Sequence, residues 1–218
     1  MLAYGQHPRA SGATVSSANS LTYEDLGSDA QRRRRRRILD AAIALAAKGG
    51  FEQMQMRAVA ERADVALGTL YRYFTSKIHL LVSALGLQFE QAGEALDRKP
   101  IPGDTAADRV MFVLGRTTQM LQREPHLTEA LTRAFVFADA SVATEIDVVA
   151  RHVSRMLLAA MREPEQRSSP VEPTEEERAI TKVIGDVWLS SLVQWVTGRA
   201  SATDVSTSLD VAVRLLLR

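Results

Sequence analysis

The sequence predicts an all-α protein, and three observations carry that prediction. Apolar residues recur at helical spacing in about nine segments of the 218-residue chain. Alanine and leucine are plentiful while aromatic residues make up only 6%, a balance that favours helices over a sandwich or a barrel. No segment shows the alternation of a strand, and there is no repeat at a period of about 20–50 residues. With 46% hydrophobic residues, the chain can bury a core in one or two domains.

Other protein classes are excluded or disfavoured by what the sequence lacks. The absence of cysteine excludes disulfides, thiol catalysis and cysteine-ligated metals. No apolar run approaches the ~18 residues of a membrane span, and the N-terminus has no signal-peptide pattern, so we expect a cytoplasmic protein without membrane contact. The four histidines are scattered, the glutamates at 175–177 suit the start of a helix, and no glycine loop would bind phosphate. We expect no metal, no cofactor and no catalytic site.

Apolar stripes and helix-breaking residues place the helices in order. Thr75 and Ser76 offer an N-cap for the fourth helix, and a polar linker occupies residues 164–173. The predicted helices run from Ile38 to the Gly49-Gly50 pair and over residues 56–63, 68–74, 77–97, 104–123, 125–138, 141–162, 174–198 and 202–217.

The second and third helices predict a helix-turn-helix. They are short and are joined by a turn of three or four residues, and in such a motif the second helix fits the major groove of DNA. Asp64 in this turn has to adopt a left-handed conformation, which aspartate tolerates better than most residues other than glycine. The distribution of charge also favours DNA binding by this segment, because residues 31–80 carry a net charge of +7 whereas the rest of the chain carries −6.

The same segment resembles the N-terminal domain of TetR-family transcriptional regulators. In that family the recognition helix reads Gly-Thr-Leu-Tyr-x-Tyr-Phe, followed by Ser-Lys and an apolar residue. The matching residues here are Gly68, Thr69, Leu70, Tyr71, Tyr73, Phe74, Ser76, Lys77 and Leu80. The chain departs from the family at Asp64, where glycine is frequent, and at Ala66, where serine often caps the helix.

These observations divide the chain into three parts. We expect a disordered tail at residues 1–28, a three-helix helix-turn-helix domain that binds DNA at 29–80, and a helical ligand-binding and dimerisation domain at 81–218. The resemblance implies a repressor that acts as a dimer on palindromic double-stranded DNA and is released by a small effector. Two alternatives stay open: an activator or architectural DNA-binding protein without a ligand, and a helical ligand carrier or enzyme with an incidental basic end.

The candidate DNA contacts lie on the third helix, at two helix starts and in a run of six arginines at 32–37. Tyr71 and Tyr73 lie about 200° apart on a helix, so they cannot both face the core. Leu70 and Phe74 are the better core pair, and we therefore predict that both tyrosines face solvent or DNA. The arginine run is either a solvated helix end or an arm that enters a narrow minor groove. The candidates are Arg34, Arg35, Arg36, Arg57, Gly68, Thr69, Tyr71, Arg72, Tyr73 and Lys77.

The predicted helix at 174–198 is apolar almost all round in its second half, which indicates burial on two sides. One side suits the domain's own core or a cavity, and the other suits a second copy of the chain; the alternative is an interior helix of a monomer. The resemblance also implies dimerisation through the last two helices. The candidate dimer residues are Leu192, Trp195, Val196, Leu209 and Val213.

Large apolar side chains would line a cavity for a small apolar effector, although each is also explained as ordinary core. Arg133 and Gln194 lie among apolar residues and are candidate polar anchors. The candidate ligand contacts are Met111, Phe112, Met120, Arg133, Phe137, Trp188 and Gln194. The chain as a whole also resembles the regulators of sterol catabolism that actinobacteria have within the same family, which implies a CoA thioester of a sterol degradation product as effector.

Overall fold

The computed structural model describes residues 29–163 and 172–218. The predicted tail at 1–28 and most of the predicted linker lie outside the described residues. Within them the chain forms nine α-helices and a 3₁₀ turn at Ala140–Val142, with no strand, which confirms the prediction of an all-α fold. The helices are α1 Asp29–Gln53, α2 Met56–Arg62, α3 Leu67–Tyr73, α4 Lys77–Asp97, α5 Ala106–Arg123, α6 Pro125–Val136, α7 Ala143–Met161, α8 Glu175–Val196 and α9 Ala202–Leu216.

Helix α1 begins nine residues before its first apolar stripe, so the arginine run is helical. Asp29 in the first turn pairs with Arg32, and Arg36 Nε donates to Asp40 at 3.0 Å. Such pairs, one turn apart, stabilise a helix segment that has no apolar face. Regular helical geometry breaks at the glycine pair, as predicted, because Gly50 has a φ of +69°; a short further turn continues to Gln53.

The N-terminal domain packs α1, α2, α3 and the start of α4 around a small apolar core. Its fully buried side chains include the predicted pair Leu70 and Phe74, together with Ile38, Leu39 and Met54. This core fixes the angle between α2 and α3 and leaves the far face of α3 exposed to solvent.

Helix α4 connects the two domains, since it packs on α1 of the N-terminal domain and on α6 and α7 of the C-terminal domain. Its residues 79–87 are buried on every side, the pattern of a helix enclosed by others. Capping boxes begin α5, α8 and α9 at Thr105, Thr174 and Ser201. In the described ranges, no helix is both long and apolar enough to span a membrane.

Candidate nucleic-acid interface and apolar cavity

The turn between α2 and α3 is a Schellman motif that depends on Asp64. The backbone N–H of Val65 donates to the carbonyl of Ala60 at 3.0 Å, and the N–H of Asp64 donates to the carbonyl of Glu61 at 3.3 Å. Asp64 has a φ of +52°, so the left-handed conformation predicted from the sequence is present. The motif ends α2 sharply and sets the direction of α3.

We expect Asp64→Val to lower the free energy of unfolding by about 1–2 kcal/mol, because a branched side chain at positive φ collides with its own backbone. Asp64→Gly is the matched control and is expected to be at least as stable as the natural chain, since glycine adopts this conformation without strain. Urea unfolding followed by circular dichroism measures both. Equal stability of the two variants would contradict the role assigned to this residue.

The outward face of α3 presents the side chains expected of a recognition helix. Leu67, Gly68 and Arg72 are exposed, Thr69 is half-buried, and the Tyr71 side chain is 45% exposed. A phenol so placed can donate to a phosphate and pack against a sugar or a thymine methyl. These residues form one continuous surface, which we call the α3 face.

The prediction that both tyrosines face outward is wrong for Tyr73. Its side chain is only 3% exposed, and its ring lies 6.4 Å from that of Phe74 between ring centroids. The separation of about 200° places the two tyrosines on opposite sides of the helix, so exposure of Tyr71 requires burial of Tyr73 beside Leu70 and Phe74. Tyr73 supports the α3 face from behind.

Arg57 opens α2 and is turned to solvent, with its side chain 85% exposed and its Nε donating to Glu61 at 3.2 Å. This exposure is compatible with the predicted contact to the DNA backbone, which stays a prediction.

Lys77 opens α4 after the Ser76 cap, but its ammonium lies 4.2 Å from the centroid of the Phe51 ring. Burial lowers the pKa of Lys77 below its ordinary value; the Glu52 carboxylate opposes this shift and the Arg133 guanidinium adds to it. The predicted phosphate contact would require this side chain to turn from the ring to the DNA.

The arginine run does not form an extended arm, because residues 32–37 are the second and third turns of α1. Arg35 lies with its guanidinium carbon 5.4 Å from the centroid of the Phe74 ring. Arg34 and Arg37 are exposed and remain available to DNA. The other four arginines line a cavity of about 660 Å³ between α1, α4 and α7, which we call the basic cavity. Its walls are Arg32, Arg33, Arg35, Arg36, Leu39, Val82, Ser83, Gly86, Leu87, Glu90, Thr144, Glu145, Val148, Arg151 and His152.

A second cavity, of about 180 Å³, lies inside the C-terminal domain between α4, α5, α6, α7 and α8. We call it the apolar cavity. Its walls are Leu85, Phe89, Leu121, Thr128, Leu131, Thr132, Phe135, Val149, Ala150, Val153, Ser154, Thr181, Lys182, Gly185, Asp186, Trp188, Leu189 and Leu192.

The polar groups in the wall of the apolar cavity are largely engaged elsewhere. Thr128 Oγ1 donates to the Leu121 carbonyl at 2.6 Å, and Thr181 Oγ1 donates to the Glu177 carbonyl at 2.9 Å. Lys182 and Asp186, at the rim, pair with each other at 2.6 Å. Most of the remaining wall is apolar side chain, so the cavity suits a mainly apolar molecule.

Trp188 is the one predicted ligand contact that lines the apolar cavity. It is 3% exposed, its Nε1–H donates to Thr118 Oγ1 at 2.9 Å, and its ring meets Phe89 edge-on at 5.6 Å between centroids. Because the indole N–H is satisfied, the ring offers its apolar surface to the cavity.

The remaining predicted ligand contacts lie elsewhere. Phe112, Met120 and Phe137 are 37%, 36% and 68% exposed on the outer surface, Met111 is half-buried away from the cavity, and Gln194 is exposed. Met111, Phe112 and Met120 lie on α5 and Gln194 lies on α8, on faces that turn away from the cavity, and Phe137 follows the end of α6. Arg133 pairs with Glu52 at 2.8 Å and belongs to the junction between the domains.

Comparisons with known proteins agree with this architecture. The profile described as "Bacterial regulatory proteins, tetR family" matches residues 38–84, and "Tetracyclin repressor-like, C-terminal domain" matches residues 103–216. The chain belongs to the TetR family. It is a DNA-binding transcriptional regulator rather than an enzyme, as the resemblance implied.

The chain is 57% identical over 197 residues to the HTH-type transcriptional repressor KstR of Mycolicibacterium smegmatis, across 90% of this chain and 93% of that one. Among solved structures, a TetR transcriptional regulator from Rhodococcus sp. RHA1 superposes with a TM-score of 0.78 at 32% identity, over 87% and 98% of the two chains. The regulator FadR of Bacillus subtilis, in complex with stearoyl-CoA, superposes with a TM-score of 0.59 at 20% identity, over 84% and 97%. This last match shows a shared fold. The 57% identity to the repressor KstR, across most of both chains, shows that this TetR-family chain is a transcriptional repressor.

In this TetR-family repressor, α6 joins the apolar cavity to the DNA-binding domain. On one side α6 contributes Leu131 and Phe135 to the cavity wall. On the other, Glu129 accepts a hydrogen bond from the backbone N–H of Phe51 at 2.9 Å, just after the break in α1. Glycine suits position 50, because its φ is +69° and a Cβ there would lie 2.8 Å from the Glu129 carboxylate. The sequence offered no signal for this junction, since its partners are 78 residues apart.

A second junction joins α4 to α7 behind the α3 face. His79 is 3% exposed; its Nδ1 accepts from the Thr75 N–H at 3.2 Å, so its Nε2 carries the proton and donates to Glu145 at 3.1 Å. Burial alone would raise the pKa of Glu145, but the His79 hydrogen bond and the nearby Arg35 charge outweigh it and hold that pKa below its ordinary value. The start of α4 is thereby tied to the C-terminal domain.

Three of the five predicted dimer residues are buried within the chain itself. Leu192, Leu209 and Val213 are 6%, 1% and 0% exposed, because α8 and α9 pack on each other and on the rest of the domain. Trp195 and Val196 are half-buried. The apolar side chains left exposed on these helices are different ones: Val183, Val211 and Leu215, at 44%, 55% and 56%.

Proposed function

We propose that this repressor binds a palindromic operator as a homodimer and leaves it when a large apolar effector enters the C-terminal domain. The observation that carries the proposal is α6, which lines the apolar cavity with one face and contacts the DNA-binding domain with the other. We place the protein in the cytoplasm, where its DNA is.

The class of effector follows from the cavity and from the relatives. A wall of hydrocarbon recognises an apolar body, and FadR, which shares this fold, is solved with stearoyl-CoA. The resemblance to actinobacterial regulators of sterol catabolism narrows the proposal to a CoA thioester of a sterol-derived carboxylic acid. The regulated genes would then be those of lipid and sterol catabolism.

The small size of the apolar cavity supports a mechanism by which the effector releases the repressor from DNA. Its volume of about 180 Å³ is below the roughly 300–1,000 Å³ of typical ligand pockets, so a sterol body has to displace a wall. Displacing α6 moves Glu129 away from Phe51 and releases the end of α1. An effector that binds only this widened form shifts the equilibrium away from the DNA-binding form.

Operator binding and release test this proposal. We expect the natural chain to bind a duplex taken from the inverted repeat upstream of its own gene, with salt-dependent affinity, and to lose that affinity when the sterol-derived CoA thioester is added. Binding without release by the thioester or by stearoyl-CoA would favour an architectural protein. No salt-dependent binding to this duplex would show that the inverted repeat is not the operator of this repressor.

We expect a dimer formed through the exposed apolar residues of α8 and α9. Val211 and Leu215 are one helical turn apart and share a face, and a cluster of exposed apolar side chains marks an interaction surface. Sedimentation at micromolar concentration should give about twice the chain mass of 24.0 kDa, and Val211→Glu with Leu215→Glu should give the monomer.

Met120→Glu, at an exposed apolar position of α5, is the matched control and should remain dimeric. All three substitutions lie on the surface, so circular dichroism should be unchanged. A dimer that persists in the double variant would move the interface to another surface.

A further inference from the structure

Two cations share the ring of Phe51, where α1, α4 and α6 meet. The Lys77 ammonium of α4 lies 4.2 Å from the centroid of this ring, and the guanidinium carbon of Arg133 on α6 lies 4.6 Å from it. Each cation is attracted to the ring, but two like charges at one ring repel each other. Burial is the main cause of the lowered pKa of Lys77, and the Arg133 charge lowers that pKa further. Arg133 therefore weakens the attraction between the ring and Lys77.

Two carboxylates at the same place pair with Arg133 rather than with Lys77. Arg133 Nη2 lies 2.8 Å from Glu52 Oε1, and Arg133 Nη1 lies 3.7 Å from Glu129 Oε1. Glu129 is also fixed by the backbone N–H of Phe51, whereas the Glu52 side chain is 74% exposed and has room to change partner. Lys77 makes no ion pair in the described part of the chain. Arg133 thus occupies the carboxylates that would compete with DNA for the ammonium.

We propose that Arg133 is a positioning residue for operator binding, because it occupies Glu52 and shares the ring of Phe51, and so leaves Lys77 able to turn to a DNA phosphate. Without Arg133, the Glu52 carboxylate pairs with the other cation at the ring, which is Lys77. The ring then attracts that ammonium alone. Lys77 is held on the protein, and the start of α4 loses its charged contact with DNA.

The position of Arg133 on α6 connects this role to release. Displacement of α6 by the effector carries Arg133 away from Glu52 and Phe51, so it has the same consequence for Lys77 as removing the arginine. This step rests on the proposed function, and the role of Arg133 rests on the predicted contact between Lys77 and a phosphate. The effect of Arg133 on operator affinity requires no effector, so it is measured without one.

Fluorescence anisotropy of the full-length chain on the operator duplex tests this role. Arg133→Met keeps a long side chain that packs on Phe51 and should weaken operator binding about three- to tenfold, the range of an exposed ion pair together with a cation–π contact. Adding Glu52→Gln should restore most of the lost affinity, because a neutral amide does not hold the ammonium. The gain from Glu52→Gln should be larger in this background than in the natural chain, where Arg133 already neutralises the carboxylate. Arg116→Met, at an exposed arginine of α5, is the matched control and should leave the affinity unchanged.

A Lys77→Ala background decides whether Arg133 acts through Lys77. There Arg133→Met should have no further effect on operator affinity, since the residue that it positions is gone. An equal loss in both backgrounds would overturn the proposal and assign Arg133 to a contact of its own with DNA. A loss that Glu52→Gln does not restore, accompanied by a lower melting temperature, would reduce the Arg133–Glu52 pair to a structural role. Unchanged operator affinity of the Lys77→Ala variant would also overturn the proposal.

These outcomes are separate from those of the proposed function. If the thioester releases the natural chain from the operator but the Arg133 and Lys77 substitutions act independently, this inference is wrong and the proposed function stands. If the two substitutions are coupled but the thioester does not release the natural chain, the role of Arg133 stands and the proposed effector is wrong.

Discussion

Replacing Tyr71 with alanine is expected to weaken operator binding at least tenfold while the helical content stays the same. Tyr71 is the aromatic residue of the α3 face, and its side chain is 45% exposed and outside the buried core, so we expect truncation to remove contacts to DNA rather than core packing. One good contact to a base or a phosphate contributes about 1–3 kcal/mol, and about 1.4 kcal/mol corresponds to tenfold.

Two further variants show which part of the phenol acts. Tyr71→Phe keeps the ring and removes the hydroxyl, so it isolates the hydrogen bond to a phosphate. Lys77→Ala removes a charge and should reduce the salt slope of binding by about 1, whereas Tyr71→Ala should leave that slope unchanged. Fluorescence anisotropy at several salt concentrations measures each variant. Unchanged operator affinity of the Tyr71→Ala variant would contradict the placement of α3 in the major groove.

The sequence predicts the order and type of the helices because those signals are local. The bounds of α4 agree with the prediction to the residue, since Ser76 caps its start and the prolines at 100 and 102 follow its end. The left-handed conformation of Asp64 was predictable for the same reason, because it depends only on the turn between two adjacent helices. The start of α1 is nine residues earlier than predicted, because the prediction required an apolar stripe and the arginine run forms helix through charge pairs instead.

The candidate site was predicted less well, because periodicity shows that a face is buried but not what covers it. Leu192, Leu209 and Val213 have the pattern of an interface, and the chain's own helices cover them. Phe112 and Phe137 have the composition of a cavity wall and lie outside. The apolar cavity takes its walls from five helices, and the basic cavity pairs α1 with α7; neither arrangement is encoded within a single segment.

Replacing Gly185 with leucine is expected to make repression insensitive to the effector. Gly185 lies in the wall of the apolar cavity, where a Cβ would be 3.9 Å from Val153 Cγ1, an ordinary contact. The larger side chain therefore enters the cavity without a backbone clash and occupies space that the effector needs. Displacing an apolar group of this size from burial costs roughly 1.5–3 kcal/mol, or about ten- to hundredfold in effector affinity.

The variant has to be compared with a substitution of the same kind in a place without a cavity. Gly115→Leu on α5 meets nothing within 4 Å, adds the same side chain to a helix and should bind and release operator DNA normally. Both substitutions raise helix propensity by up to about 1 kcal/mol, so neither should lower the melting temperature. The measurement is the effector concentration that releases half of the bound operator. Gly185→Leu should bind the operator with the natural affinity and shift that concentration upward about ten- to hundredfold. If the variant releases the operator at the same effector concentration as the natural chain, the effector does not enter the apolar cavity. The proposal that effector binding acts on the DNA-binding domain through α6 would then be wrong.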